Sequence, residues 1–97
     1  MRVVYGARAL ADVIDIAAYL KARSPAGARA VELRIRRTIA LLAEFPSAGQ
    51  ALEQRPQVRI MPLGRYPYLI FYTLSGEELT VLHIRHAARQ PVDPERL

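Results

Sequence analysis

Four side chains that could bind an anion or move a proton lie close together near the end of the chain. His83, Arg85, His86 and Arg89 fall within seven residues of one another. Histidine exchanges a proton near neutral pH, and arginine binds phosphate or carboxylate through two parallel hydrogen bonds. One interpretation makes His86 a general acid or base in RNA cleavage, with Arg85 and Arg89 stabilising the developing negative charge. The other makes His86 an imidazole at a strand end that hydrogen-bonds to the backbone.

The two histidines are predicted to point to opposite faces of a strand, because side chains alternate along it. One face then carries Leu79, Val81, His83 and Arg85, and the other carries Thr80, Leu82, Ile84 and His86. No metal site is expected from the two imidazoles, since carboxylate and cysteine ligands are missing nearby. The sequence also has no Gly-rich phosphate loop, nucleophile elbow or Walker pattern, so no cofactor is expected.

Arginines elsewhere in the C-terminal half suggest an anion-binding patch. Arg59, Arg65, Arg85 and Arg89 would form one if they converge on a single edge of a sheet. Such a patch would bind phosphate groups or the carboxylates of a partner. The alternative is that each arginine is a separate, solvated surface residue.

The composition limits the class of partner and the compartment. A formal net charge of +5 at pH 7 indicates an acidic partner, either nucleic acid or an acidic protein segment. All of the 14 basic residues are arginine except Lys21, a preference that a GC-rich genome also produces. The absence of cysteine excludes disulfides and thiolate chemistry. No stretch approaches the roughly 18 apolar residues of a membrane span, so we expect a soluble cytoplasmic protein.

The first half is predicted to contain a short strand over residues 2–5 and then a helix from Ala9 to Lys21. The apolar residues of this helix recur at the spacing of one helix face. The predicted core-facing stripe is Leu10, Val13, Ile14, Ala17 and Leu20. Asp12 and Asp15 lie in the N-terminal half of the helix, where the helix dipole favours negative charge.

A second helix is predicted to start at Ser24-Pro25, since serine caps helices and proline fits the first helical position. Its core-facing stripe is Ala28, Val31, Ile35, Ile39 and Leu42, and an ion pair between Glu32 and Arg36 is expected on the opposite face. The helix ends at Pro46, with Phe45 expected to pack beneath the following turn. Residues 46–57 are predicted to form a polar loop.

The last part of the chain is predicted to form a small sheet. A short strand covers Val58 to Met61, and the run from Tyr68 to Thr73 is apolar on both faces, which is typical of a central strand. A turn at Ser75-Gly76 joins that strand to the last one in a β-hairpin. The helical hairpin must cover this sheet, so the predicted fold class is α+β with a mostly antiparallel C-terminal sheet. We expect one domain over residues 1–97, with residues 90–97 as an extended or mobile tail.

These features together resemble the ParE/RelE superfamily of toxins from bacterial toxin–antitoxin pairs, over nearly the whole chain. The helix at residues 9–20 is similar to the family's opening pattern A..DL..I..YI. Residues 45–49 resemble the family's L...P..GR break, with Gln50 in place of the usual arginine. Residues 66–72 and 83–89 are similar to the family's YPYLIFY and ILHIRHGAR. The order and spacing of the pieces are more specific than any piece alone.

The resemblance implies one of two activities. RelE-like members cut messenger RNA on the ribosome with basic residues on the sheet, whereas ParE-like members inhibit DNA gyrase without chemistry of their own. In this chain Tyr68 occupies the central-strand position of the RelE-like arginine, the mid-chain lysines are absent, and no tyrosine follows His86. The resemblance therefore favours a ParE-like gyrase inhibitor. The alternatives are a RelE-like endoribonuclease that uses His86, Arg85 and Arg89, and a degenerate relative that only binds its partner.

A tight complex with a ParD-like antitoxin is the partner that the resemblance implies. The helical hairpin has more apolar residues than one small sheet can cover, so part of its surface should stay exposed. An acidic, amphipathic segment that folds on binding suits an apolar surface rimmed by arginine. The residues expected to contact it are Ile16, Tyr19, Leu33, Leu41, Arg59, Arg65, Arg85 and Arg89.

Overall fold

The computed structural model describes residues 1–88, which form two consecutive helices and five strands. The elements are β1 (Arg2–Tyr5), α1 (Ala7–Arg23), α2 (Pro25–Glu44), β2 (Gln50–Ala51), β3 (Val58–Pro62), β4 (Tyr68–Ser75) and β5 (Glu78–His86). The predicted element order is confirmed, and β2 is an addition within the segment predicted as a loop. Arg89 and the predicted tail over residues 90–97 lie outside the described residues.

All five strands belong to one mixed sheet with the order β1-β5-β4-β3-β2. β1 runs parallel to β5, and the other neighbouring pairs are antiparallel. β4 therefore lies at the centre of the sheet, as its two apolar faces predict. Both helices connect β1 to the rest of the sheet and cover one of its faces, which confirms the predicted α+β fold class.

The β4–β5 hairpin turns at Gly76 and contains a bulge in its second strand. Gly76 has a φ of 58°, a left-handed conformation that glycine adopts at little cost. Tyr72 pairs with Val81 but Phe71 pairs with His83, so Leu82 is an extra residue in β5. The bulge reverses the alternation of side chains beyond it.

The predicted division of β5 into two faces is therefore wrong after Leu82. Ile84 joins Leu79 and Val81 in the core beneath the helices. His83 and Arg85 lie on the other face, beside Phe71: the ring centroids of His83 and Phe71 are 5.6 Å apart, and the Arg85 guanidinium carbon is 5.6 Å from the Phe71 centroid. His83 and His86 still point to opposite faces, as predicted.

α1 is rotated relative to its predicted core-facing stripe. Ala9 is fully buried, and Val13, Ile16 and Leu20 pack against the core. Leu10 and Ile14, predicted to face the core, are 52% and 67% exposed. Ile16, predicted to lie on the outer surface, instead packs inward.

α2 follows the prediction more closely. The Ser24 hydroxyl accepts a hydrogen bond from the backbone N–H of Gly27, which caps the helix, and Pro25 is its first residue. Arg36 pairs with Glu32 at 2.9 Å on the exposed side. The buried residues of the helix are Ala28, Val31, Ile35, Thr38, Ile39 and Leu42. Neither helix in the described part of the chain has the length and apolarity to span a lipid bilayer.

The turn after α2 is held by the Tyr72 hydroxyl, which donates to the Pro46 carbonyl at 2.7 Å and accepts from the Gly49 N–H at 2.9 Å. Burial raises the pKa of this phenol; the Gly49 hydrogen bond and the Arg59 charge oppose that effect. The Tyr72 ring takes the space beneath the turn. Phe45, predicted to pack there, is consequently 57% exposed.

Candidate functional site

An apolar groove runs between α1 and α2. It has a volume of about 380 Å³. Leu10 and Ile14, the two residues that the rotation of α1 leaves exposed, lie along one wall, and Tyr5 of β1 also lines it. The remaining lining residues are Val13, Ile16, Ala17, Leu20, Lys21, Ala28, Val31, Glu32, Ile35 and Arg36.

The rim of the groove carries exposed side chains of both charges. Lys21 contributes a positive charge from α1, and the Arg36–Glu32 pair lies along α2. Burial raises the pKa of the Tyr5 phenol, and the positive charge of Arg36 partly opposes that rise. Arg36 is thus close enough to influence the groove electrostatically as well as through its ion pair with Glu32.

A second cavity of about 420 Å³ lies on the other flank of α1, against the ends of β4 and β5. Its lining residues are Asp12, Asp15, Ile16, Tyr19, Leu20, Tyr68, His83, Ile84, Arg85 and His86. Oδ2 of Asp12 lies 2.6 Å from Nδ1 of His83 and also accepts the backbone N–H of Ile84 at 2.9 Å. His83 is only 6% exposed, so this imidazole serves the packing of α1 on β5.

Asp12 was missed as a partner of His83. The sequence suggested only that its charge suits the N-terminal half of a helix. The strand pattern could not have found the pair, because the bulge at Leu82 moves His83 off the face that carries Leu79 and Val81. Asp12 lies on the flank of α1 that faces this part of β5.

His86 is partly accessible and lies at the end of β5. Its Nδ1 accepts the backbone N–H of Ala88 at 3.1 Å, and its ring meets Tyr68 edge-on with centroids 5.4 Å apart. In the neutral imidazole this bond places the proton on Nε2. The backbone hydrogen bond that one interpretation of His86 predicts is therefore present. The Nε2–H that the other interpretation needs for proton transfer is a donor.

Arg85 and His86 point to opposite faces of β5, although both line the second cavity. Its Nη1 donates to the His86 backbone carbonyl at 3.0 Å, while its guanidinium lies near Phe71 on the opposite face of the sheet. The two side chains proposed for RNA cleavage thus diverge. Arg89, the third, lies outside the described residues.

The predicted arginine patch does not form from the members that the structure describes. Arg59 faces the helix side of the sheet, where its Nη1 donates to the Gly49 carbonyl at 2.7 Å. Arg85 lies on the other face, and Arg65 is in the β3–β4 turn, with its guanidinium carbon 5.2 Å from the Tyr66 ring centroid. The pairing of β3 with β4 and of β4 with β5 separates these positions, because alternation puts Arg59 and Arg85 on opposite faces.

The four apolar residues expected to contact a partner also lie apart. Ile16 packs on the core and lines both cavities. Tyr19 lines the second cavity and is 51% exposed. The Arg23 guanidinium carbon lies 3.6 Å from the centroid of the Tyr19 ring. Leu33 and Leu41 are 47% and 42% exposed, but neither lines the groove. Their exposure was predicted; their role in binding stays a prediction.

The described residues provide no set of ligands for a metal ion. Within residues 1–88, no three His, Asp or Glu side chains lie close enough together to hold a metal ion. Asp12 and His83 are adjacent but bond to each other.

Comparison with known proteins identifies relatives over most of the chain. Residues 3–91 match the family model described as ParE toxin of type II toxin–antitoxin system, parDE. Toxin RelE2 of Caulobacter vibrioides is 35% identical over 89 residues, which cover 91% of this chain and 97% of that protein. Putative toxin Y4kP of Sinorhizobium fredii is 32% identical over 89 residues, with 92% and 91% covered.

The fold also matches a solved structure. A chain described as the chromosomal ParDE TA system from P. aeruginosa superimposes with a TM-score of 0.74 at 26% identity, covering 89% of this chain and 95% of that one. The match agrees with two helices packed on a five-stranded mixed sheet.

Proposed function

Because the chain belongs to the ParE toxin family of type II toxin–antitoxin systems, we propose that it inhibits DNA gyrase by binding and is held inactive by a cognate ParD-like antitoxin. The observation that carries the antitoxin part is the groove between α1 and α2. Leu10 and Ile14 are more than half exposed there. Exposed apolar grooves of this kind accept amphipathic segments.

The antitoxin segment that fits the groove has apolar residues on one side and acidic residues at its margins. Its apolar side covers Leu10 and Ile14, which removes apolar surface from water. Its acidic residues approach Lys21 and Arg36 on the rim. The net charge of +5 favours the encounter with such a segment.

Inhibition by binding is favoured over catalysis because the described side chains do not assemble an acid–base site. The His83 imidazole is buried against Asp12, and the His86 and Arg85 side chains lie on opposite faces of the sheet. General acid–base catalysis needs groups that converge on one reacting phosphate. The gyrase target itself rests on the ParE-like resemblance.

A ribosome-dependent endoribonuclease is the second candidate function. Two observations favour it: a relative is named Toxin RelE2, and the hydrogen bond from Ala88 leaves Nε2–H of His86 as a donor at the end of β5. In this case His86 is the acid or base, and Arg85 and Arg89 are the candidate groups for stabilising charge.

One pair of assays separates the two candidates. Purified chain is added to a DNA gyrase supercoiling reaction and, in parallel, to a translation reaction in which message integrity is followed. We expect loss of supercoiling, its restoration by the antitoxin, and intact message. Unchanged supercoiling together with cleaved message would establish the second candidate instead. A chain that neither arrests growth nor affects either reaction would be a degenerate relative.

A further inference from the structure

The outer surface of α2 carries a row of large side chains at every fourth position. The row, which we call the outer ridge, consists of Arg29, Leu33, Arg37, Leu41 and Phe45. Leu33, Leu41 and Phe45 are 47%, 42% and 57% exposed. The ridge continues past the end of the helix because the Phe45 N–H still donates to the Leu41 carbonyl, at 2.7 Å.

The outer ridge is separate from the groove. On α2 the groove is lined by Ala28, Val31, Glu32, Ile35 and Arg36, and no ridge residue is among them. The buried stripe of α2 is likewise made of other residues. An antitoxin segment confined to the groove would therefore leave the ridge uncovered.

The ridge is basic as well as apolar. Arg29 and Arg37, both exposed, alternate with its apolar members. Neither of these two arginines forms an ion pair with a carboxylate of residues 1–88, whereas Arg36 on the groove side does. Unpaired guanidinium groups beside exposed apolar side chains are characteristic of protein interfaces, where arginine and aromatic residues are enriched.

The spacing of the ridge indicates a helical partner. Rows of residues four apart form the ridges that fit between those of a neighbouring helix, commonly at a crossing angle of about −50°. The distance from Arg29 to Phe45 corresponds to about 24 Å of helix at about 1.5 Å per residue, the length of a four- to five-turn contact. A second copy of this chain fits poorly, because its own ridge is basic. The sugar–phosphate backbone of nucleic acid gives Leu33, Leu41 and Phe45 little to pack against.

We propose that the outer ridge of α2 binds a helix with alternating acidic and apolar residues on one face, supplied by a protein other than the antitoxin that fills the groove. The inference rests on the proposed function only in assigning the groove to the antitoxin. Arg29 and Arg37 pair with the acidic residues of that helix, and Leu33, Leu41 and Phe45 pack against its apolar ones.

The test uses a fluorescent synthetic helix with leucine and glutamate alternating along one row of positions four apart. Its binding is measured by anisotropy to the toxin–antitoxin complex and to the isolated chain. We expect binding to both, and a loss of about tenfold or more with Arg37→Glu, since reversing an interfacial charge leaves its partner opposed. Arg8→Glu, an equal change of charge on the exposed part of α1, and Ile14→Asp in the groove should leave binding to the isolated chain unchanged. Circular dichroism verifies that each variant is folded.

Several results would overturn the inference. These are no binding to the wild-type complex, equal binding by wild type and Arg37→Glu, or displacement of the peptide by the antitoxin. Duplex DNA that competes with the peptide and loses affinity in the same variant would point to nucleic acid instead. If the antitoxin itself does not bind the chain, the assignment of the groove fails, while the peptide measurements on the isolated chain still decide the role of the ridge.

Discussion

Asp12 of α1 completes the hydrogen bonding of β5 next to His83. Oδ2 of Asp12 lies 2.6 Å from Nδ1 of His83 and accepts the Ile84 N–H at 2.9 Å. β1 pairs with β5 only as far as Val81, opposite Tyr5. The Asp12 carboxylate therefore acts as an acceptor where the parallel strand has ended, and it ties α1 to the sheet.

Asp12→Ala should lower the free energy of unfolding by about 1–3 kcal/mol, because it leaves a partly buried N–H and the His83 imidazole without their acceptor. Urea unfolding followed by circular dichroism measures the change. Asp15→Ala, which removes an exposed carboxylate from the same helix, is the control and should have little effect. Equal stability of the two variants would contradict the role assigned to Asp12.

The phase of α1 could not be derived from its sequence, whereas that of α2 could. Residues 9–20 hold apolar side chains at enough positions to form two overlapping stripes, one through Leu10 and Ile14 and one through Ala9 and Ile16. Propensity and periodicity do not distinguish between them. The choice depends on tertiary contacts, including the one between Asp12 and β5. On α2 the longest continuous apolar stripe is the one through Val31, Ile35 and Leu42, and its buried face was predicted correctly.

The sheet, too, could be predicted from the sequence only in part. The order of its elements follows from strand and turn patterns, but the bulge at Leu82 has no marker of its own in the sequence. The only hint was His83 in the same phase as Leu79 and Val81. An exposed apolar surface on the hairpin was predicted at Ile16, Tyr19, Leu33 and Leu41, but of these only Ile16 lines the groove. Leu10 and Ile14, which form its wall, were assigned to the core.

Stability should fall at alkaline pH through the phenol of Tyr72. Burial raises the pKa of Tyr72 above its ordinary value of 10.0 in the folded chain. Below pH 10 both states keep the proton; above it the unfolded chain ionises first, so stability declines until the folded-state pKa is passed. Tyr72→Phe should make this decline shallower. It should not abolish it, since burial also raises the pKa of Tyr5. Urea midpoints between pH 8 and about 11 test this, and an unchanged slope would contradict it.

Gly49→Ala should destabilise the turn after α2. An added Cβ would lie 2.6 Å from the Tyr72 hydroxyl oxygen and 2.7 Å from a ring carbon, so the ring or the turn must move. We expect a loss of about 1–3 kcal/mol, the usual effect of overpacking. In the Tyr72→Phe background the clash with the hydroxyl oxygen is gone and the cost should be smaller. Additive effects of the two substitutions would show that Gly49 and Tyr72 are not coupled.

Ile14→Asp should weaken antitoxin binding by about tenfold or more while leaving the fold intact, since Ile14 is 67% exposed and burying an unpaired carboxylate at an interface is costly. Isothermal titration with the cognate antitoxin measures the affinity. Ala11→Asp places the same charge on an exposed position of α1 that does not line the groove, and it should bind normally. If both variants bind as tightly as wild type, the antitoxin segment does not use the groove.

His86→Ala should leave growth arrest intact, because a toxin that inhibits gyrase by binding needs no acid or base at the end of β5. The substitution removes the edge contact with Tyr68 and an acceptor for the Ala88 N–H, a bond that lies at the surface, so we expect a stability loss of about 1 kcal/mol. Growth is followed after induction without antitoxin, and the supercoiling assay is repeated on the purified variant. His86→Gln, which keeps a polar side chain but cannot transfer protons as imidazole does, is the matched control. If both variants are folded and bind the antitoxin but no longer arrest growth, His86 acts in catalysis and the endoribonuclease becomes the better account.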